Sequence, residues 1–148
     1  MLVHADWLQL QGNAQRSGNV PEEILKESLG LMAAIPLTDG VQAAPVVTDG
    51  VAYVLDGAGV VHAIDAKTFV VKWRFATKGG AGNCNNVAAP AVVGKYLHVG
   101  TTAGYYYVLD CENGLVVKRI DCSEPIFSAP VAGKGRVYFA TLGARVYA

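Results

Sequence analysis

From residue 43 onward the chain alternates between short apolar runs, rich in Val, Ile, Tyr and Phe, and brief polar turns built on Gly, Asp and Asn. Thr48-Asp49-Gly50, Asp56-Gly57-Ala58-Gly59 and Glu112-Asn113-Gly114 are such turns. Their residue types tolerate the backbone reversals that a tight strand connection needs. The first set of runs covers residues 43–47, 51–55, 60–65 and 70–75. Strands joined this closely form an antiparallel meander. Val51 to Leu55 is apolar at consecutive positions, so both faces of its sheet must be covered. A sandwich with one wet face would alternate more cleanly, whereas sheets stacked radially as propeller blades are covered on both sides.

The runs repeat. Ala43-Ala44-Pro45 recurs as Ala88-Ala89-Pro90 and as Ser128-Ala129-Pro130, at intervals of 45 and 40 residues. Beyond each proline the copies align without a gap. Val51–Leu55 matches Tyr96–Gly100 and Arg136–Ala140, Gly59 matches Gly104, and Val61–Asp65 matches Tyr106–Asp110. A period of this length with four strands per unit predicts an all-β propeller. The repeats span about 43–82, 88–122 and a truncated 128–148, preceded by an N-terminal segment over 1–37.

The motif Ala63-x-Asp65-x-x-Thr68-Phe69-x-x-x-Trp73 resembles the tryptophan-docking motif of the pyrroloquinoline-quinone-like propeller repeats, with Phe69 where glycine is usual. The second unit keeps Asp110 and Gly114 but has Val108, Asn113 and Lys118 at the alanine, threonine and tryptophan positions. Asp6-Trp7-Leu8-Gln9, with Gly12-Asn13 and Arg16-Ser17-Gly18, is similar to the segment before the first blade in that family, which includes quinoprotein dehydrogenases and an outer-membrane-assembly lipoprotein. The resemblance implies that Trp73 locks neighbouring blades and that Ser28–Leu37 is the outermost strand of the closing blade. One strand there, four in each complete unit and three in the last would make twelve, three blades' worth, fewer than the typical four to eight blades of a ring. The expectation is the N-terminal part of a longer protein; a homo-oligomer closed by strand exchange is the alternative.

Composition adds limits. The chain has 148 residues and is 52% apolar, enough for a substantial core. Twelve basic and twelve acidic residues cancel, so no global field favours nucleic acid as a partner. No apolar stretch approaches the ~20 residues of a membrane helix, and Met1–Asp6 lacks the basic start of a signal peptide. A periplasmic or secreted address is therefore implied by the family resemblance alone.

Candidate chemistry is sparse. Thr77–Asn86 is about five residues longer than its counterpart around Ser123–Phe127. Gly- and Asn-rich connections can offer several amides to one anion or carbonyl, which makes Gly80, Gly82, Asn83, Cys84, Asn85 and Asn86 the candidate ligand-binding loop. His62 aligns with Tyr107 and Tyr147, and His98 with Tyr53 and Tyr138, so both read as packing positions with a polar tip. Asp39-Gly40, Asp49-Gly50 and Asp56-Gly57 read as turns, since no EF-hand ligand series follows any of them. Asp65 and Asp110 read as turn-capping acids. Cys84, Cys111 and Cys122 show no C-x-x-C pair and read as unpaired thiols, with a Cys84–Cys122 bridge also conceivable. No nucleophile elbow or phosphate loop is present.

The family's quinone-dependent dehydrogenases use a catalytic aspartate, calcium ligands and often a vicinal disulfide, and no residue here carries over to those roles. The expected function is therefore a non-catalytic propeller that binds a small-molecule ligand or a protein, with no catalytic or metal-ligating residue and no cofactor. The alternative is part of a pyrroloquinoline-quinone-dependent dehydrogenase oxidising alcohols or sugars, which would use the quinone and calcium.

Overall fold

The computed structural model describes residues 6–19 and 30–148. Eleven strands among them form three antiparallel sheets, each a meander in chain order. The first contains β1 (Val46–Thr48), β2 (Val51–Leu55), β3 (Val60–Asp65) and β4 (Val71–Ala76). The second contains β5 (Ala91–Val93), β6 (Tyr96–Gly100), β7 (Tyr105–Asp110) and β8 (Val116–Asp121). The third contains β9 (Val131–Gly133), β10 (Arg136–Ala140) and β11 (Val146–Tyr147). The first strands of the sheets touch in succession, β1 against β5 and β5 against β9. These are three blades of a β-propeller.

Turn chemistry sets the register. Asp49 and Gly50 both have positive φ, 48° and 71°, and Lys134 and Gly135 repeat this at 49° and 74°. Two left-handed residues match the twist of the flanking strands, which pairs Thr48 with Val51 and Gly133 with Arg136. The fourth strand of each complete blade carries an irregularity at one shared place. Ala63 pairs with Trp73 but Ile64 with Val71, and Val108 pairs with Lys118 but Leu109 with Val116. The skipped residues, Lys72 and Val117, are bulges that change which side chains share a face.

The core lies between blades. Leu55, Val61, Ala63, Leu97, Val99 and Leu109 are buried between the first two. Between the second and third, Tyr106 stacks on Phe139 with ring centroids 3.8 Å apart, and Phe139 stacks on Tyr147 at 4.8 Å. The N-terminal segment laces the inner strands together. Trp7 exchanges backbone hydrogen bonds with Val47 of β1 at 2.6 and 2.8 Å, and the Leu8 carbonyl accepts from Val92 of β5 at 2.7 Å. Gln9 Oε1 accepts from the Ala132 amide of β9 at 3.4 Å.

The strand expected over Ser28–Leu37 would belong to a closing blade outside these three sheets. Ser28 and Leu29 lie outside the described residues, and residues 30–37 join no ladder. Ala33, Ile35 and Leu37 are half-buried while Ala34 and Pro36 are exposed, the alternation of a strand laid on a surface. Ladder hydrogen bonds require an adjacent sheet edge, and none pairs with this segment.

Trp73 spans the gap between the first two blades. Its Nε1 donates to the Cys111 carbonyl at 3.0 Å, and the Tyr53 hydroxyl donates to the same oxygen at 3.2 Å. The indole lies on Gly114, where an added Cβ would come within 2.7 Å of ring atom Cε3. Gly114 has φ 73° and Phe69, its equivalent in the first blade, has φ 60°. Both close the same turn, with their amides donating to the Asp110 and Asp65 carbonyls at 2.9 and 2.8 Å. Asp65 Oδ1 accepts from the Thr68 and Lys67 amides, and these bonds hold its carboxyl below the ordinary aspartate range. Asp110 Oδ1 accepts from the Glu112 amide in the same way. Asp65 and Thr68 thus shape the turn of one blade, Ala63 lies in the core of β3 opposite Trp73, and Trp73 docks on the turn of the next blade.

Gly114→Ala is expected to destabilise the chain by about 3 kcal/mol, from overpacking against the indole together with left-handed strain. Phe69→Gly, which relieves the same strain without emptying a core site, is expected to be neutral or to stabilise by up to about 1 kcal/mol. Urea unfolding of both variants checks the pair, and a loss below about 1 kcal/mol for Gly114→Ala would contradict the close approach.

Candidate functional site

The long connection between the first two blades contains a single 3₁₀ turn over Gly80–Gly82. Its two best hydrogen-bonding side chains turn inward. Asn83 and Asn86 are buried, at 5% and 0% exposure. Asn83 Nδ2 donates to Thr77 Oγ1 at 2.6 Å, and Asn86 Nδ2 donates to the Gly57 carbonyl and to Asn83 Oδ1, both at 3.1 Å. Asn86 Oδ1 accepts from the Thr102 amide at 2.9 Å. The pair therefore bridges the β2–β3 turn of one blade to the β6–β7 turn of the next. Gly59 and Gly79 allow this, since a side chain at either position would strike Asn83.

The six residues of the candidate ligand-binding loop thus divide into two groups. Gly80, Gly82, Cys84 and Asn85 are exposed, but Asn83 and Asn86 are occupied within the fold. The physical reason is that a buried amide must find partners, and the neighbouring turns supply them.

A second polar cluster lies in the first blade. Asp56 and His62 are fully buried, with His62 Nε2 and Asp56 Oδ2 2.9 Å apart. Asp56 also accepts from the Val60 amide at 2.9 Å through Oδ1 and from the Thr38 amide at 3.2 Å through Oδ2. Arg74 Nε donates to His62 Nδ1 at 3.2 Å. A guanidinium can only donate, so Nδ1 accepts and the Nε2 proton points at Asp56. The imidazole thus links the Asp56 carboxylate and the Arg74 guanidinium through one hydrogen bond on each ring nitrogen.

Read one residue at a time, the sequence presents Asp56 as a turn residue and His62 as a packing position, and the link between them is missed. The repeat holds a usable signal. Asp56, Thr101 and Thr141 are equivalent, as are His62, Tyr107 and Tyr147. Only the copy with a carboxylate has an imidazole six residues on.

Cys84, Cys111 and Cys122 are all free, with Cys84 exposed and Cys122 buried, so the conceivable Cys84–Cys122 bridge is not formed. Burial pushes the Cys111 and Cys122 thiols up from the ordinary cysteine value, and it lowers His98 below the ordinary histidine value. Among the described residues no three His, Cys, Asp or Glu side chains converge as metal ligands.

Two grooves open between the first and second blades. One, of about 500 Å³, lies beside the Trp73 lock and is lined by Tyr53, Lys72, Lys95, Asp110, Cys111 and Glu112 among others, with charges of both signs. The other, of about 420 Å³, is lined by Phe75, Ala76, Lys78, Tyr107, Val116 and Arg119. No helix among the described residues is long and apolar enough to cross a membrane.

A family profile described as outer membrane protein assembly factor BamB matches residues 33–148. Quinohemoprotein alcohol dehydrogenase of Comamonas testosteroni is 34% identical over 119 residues, which cover 72% of this chain and 17% of that protein. Its crystal structure superposes with a TM-score of 0.68 at 25% identity, covering 91% of this chain and 23% of that one. BamB of Moraxella catarrhalis gives a TM-score of 0.67 at 18% identity over 76% of this chain and 38% of that one. Quinohemoprotein alcohol dehydrogenase ADHIIG of Pseudomonas putida HK5 gives 0.77 at 23% identity over 94% and 23%. The chain thus spans well under half the length of each relative.

Asn86→Ala is expected to destabilise the chain by about 2 to 3 kcal/mol, because the Gly57 carbonyl, Asn83 Oδ1 and the Thr102 amide all lose a partner. Chemical denaturation measures it, and a change below about 0.5 kcal/mol would mean that the clamp is solvated. His98, 9% exposed beside the Tyr106 hydroxyl at 3.1 Å, supplies a pH test. Its folded pKa lies below the unfolded one, so the unfolded chain takes up the proton first on acidification. Its contribution is therefore complete above about pH 6.5 and declines as pH falls from there towards the folded value. Unfolding midpoints between pH 7.5 and 5 are expected to fall less steeply for His98→Gln than for the parent chain.

Proposed function

Residues 33–148 place this chain in the outer membrane protein assembly factor BamB family, and from that membership we propose that its blades form part of a non-catalytic propeller that binds a protein or a small-molecule ligand. The observation that carries the proposal is where the polar side chains go. Asp56, His62, Arg74, Asn83, Asn86 and Thr102 are spent on one another and on backbone groups of adjacent turns. An enzyme site of the family's kind needs acids and metal ligands free to face a substrate; here the polar residues are taken up within the first blade or bridge it to the second. What remains open to a partner is the set of exposed loop tips and the grooves between blades. The profile's description also supports a periplasmic or outer-membrane address.

A second reading, that these blades belong to a quinone-dependent alcohol dehydrogenase, is favoured by the 34% identity to the Comamonas testosteroni enzyme. On this reading the groups that hold quinone and calcium would come from outside the described residues.

The two readings diverge in one titration. Pyrroloquinoline quinone and calcium are added to the protein that carries these blades, with calorimetry for binding and dye reduction for alcohol oxidation. Neither stoichiometric binding nor alcohol-dependent dye reduction is expected. Stoichiometric quinone uptake with turnover would establish the dehydrogenase reading instead.

A further inference from the structure

The smaller groove is built by two complete blades, and it has the make-up of a binding site. Phe75 of β4 and Tyr107 of β7 meet edge to face, centroids 5.3 Å apart and planes at 66°. Val116 and Ala76 extend this apolar floor. Residues three apart on an unbroken strand point to opposite faces, but the bulge at Val117 puts Val116 and Arg119 on one side of β8. Val116, paired with Leu109, and Arg119, paired with Tyr107, therefore line the same cavity.

The polar side chains there are two cations and one hydroxyl. Arg119 lies over the Tyr105 ring at 5.5 Å, which fixes the guanidinium at the rim. Lys78 supplies a second cation, and no carboxylate lines the groove. Neither side chain has an ion-pair partner among the described residues. Tyr107 is 1% exposed, and its hydroxyl accepts the Lys78 amide at 3.0 Å. Its own proton finds no acceptor among the described residues. A buried hydroxyl proton and two cations beside an apolar floor call for an anion with an apolar body. The volume of about 420 Å³ suits a molecule of one ring and a short chain.

We infer that this inter-blade groove binds a small organic carboxylate, with its apolar body against Phe75, Tyr107 and Val116 and its carboxylate received by Arg119, Lys78 and the Tyr107 hydroxyl. The site deepens the proposed ligand-binding role, on which it rests for its biological sense, and it uses no group of the polar clamps, so its failure would leave the non-catalytic reading standing.

The test uses the intact chain and 3-phenylpropionate as probe, followed by ligand-observed NMR, with 3-phenylpropanamide as the uncharged control. Saturable binding with Kd on the order of 1 mM is expected. The amide and the Arg119→Gln variant should each bind about tenfold more weakly, and Tyr107→Phe about threefold. Lys118→Gln removes the same charge from the other face of β8 and should leave affinity unchanged. Thermal unfolding of each variant separates lost binding from lost fold. Equal affinity for acid and amide, indifference to Arg119→Gln in a folded variant, an equal loss in Lys118→Gln, or no saturation by the parent chain would each overturn the inference.

Discussion

The first two blades depend on one close approach, an indole resting on a residue that has no side chain. Trp73 reaches the neighbouring blade because Gly114 leaves room for it and because the Cys111 carbonyl, turned outward by the Asp110 cap, accepts its Nε1 proton. Everything between those blades follows from that spacing. The packing of Leu55, Val61, Leu97 and Leu109, the edge contact of Phe75 with Tyr107 and the reach of Asn86 from one turn to the next all require the sheets at this separation. The second interface is held differently, by the stacked rings of Tyr106, Phe139 and Tyr147, because Lys118 occupies the place of the tryptophan.

Much of this was legible in the sequence, for a definite reason. Turn residues act locally, so Asp49-Gly50 and the spaced prolines fix strand number, order and register without reference to anything distant. The docking motif was legible too, although its parts are divided between two copies. The polar clusters were not. Whether Asn83 faces solvent or the fold depends on Gly59 and Thr77, and the fate of Asn86 depends on Gly57 and Thr102 in two different blades. The pairing of Asp56 with His62 needs the cross-strand register of Val54 with His62 and the cover provided by Thr38. Residues 30–37 read as a strand from the family resemblance alone, and a strand is defined by its neighbour as much as by itself: they join no ladder with the three described sheets.

The same division explains why the architecture speaks more clearly than the activity. A repeat is selected for stacking, and stacking absorbs side chains that in isolation resemble chemistry: a carboxylate beside an imidazole, a run of asparagines, buried thiols. Once each is traced to its partner, the groups left over are few and lie along the seams between blades. Seams are where a modular fold can acquire specificity without disturbing the repeat, since each one combines side chains from two copies that have diverged separately.

The lacing of the inner strands carries a consequence of another kind. Trp7, Leu8 and Gln9 bond to β1, β5 and β9, so residues at the start of the chain cannot be satisfied until strands as far as 123 positions later exist. Loop-closure entropy makes such a contact slow to form. During synthesis each meander can assemble as it emerges, while the opening segment waits for all three and then fastens them as a late step. The opening segment is thereby a record of assembly, bonded throughout only when all three of these blades are in place.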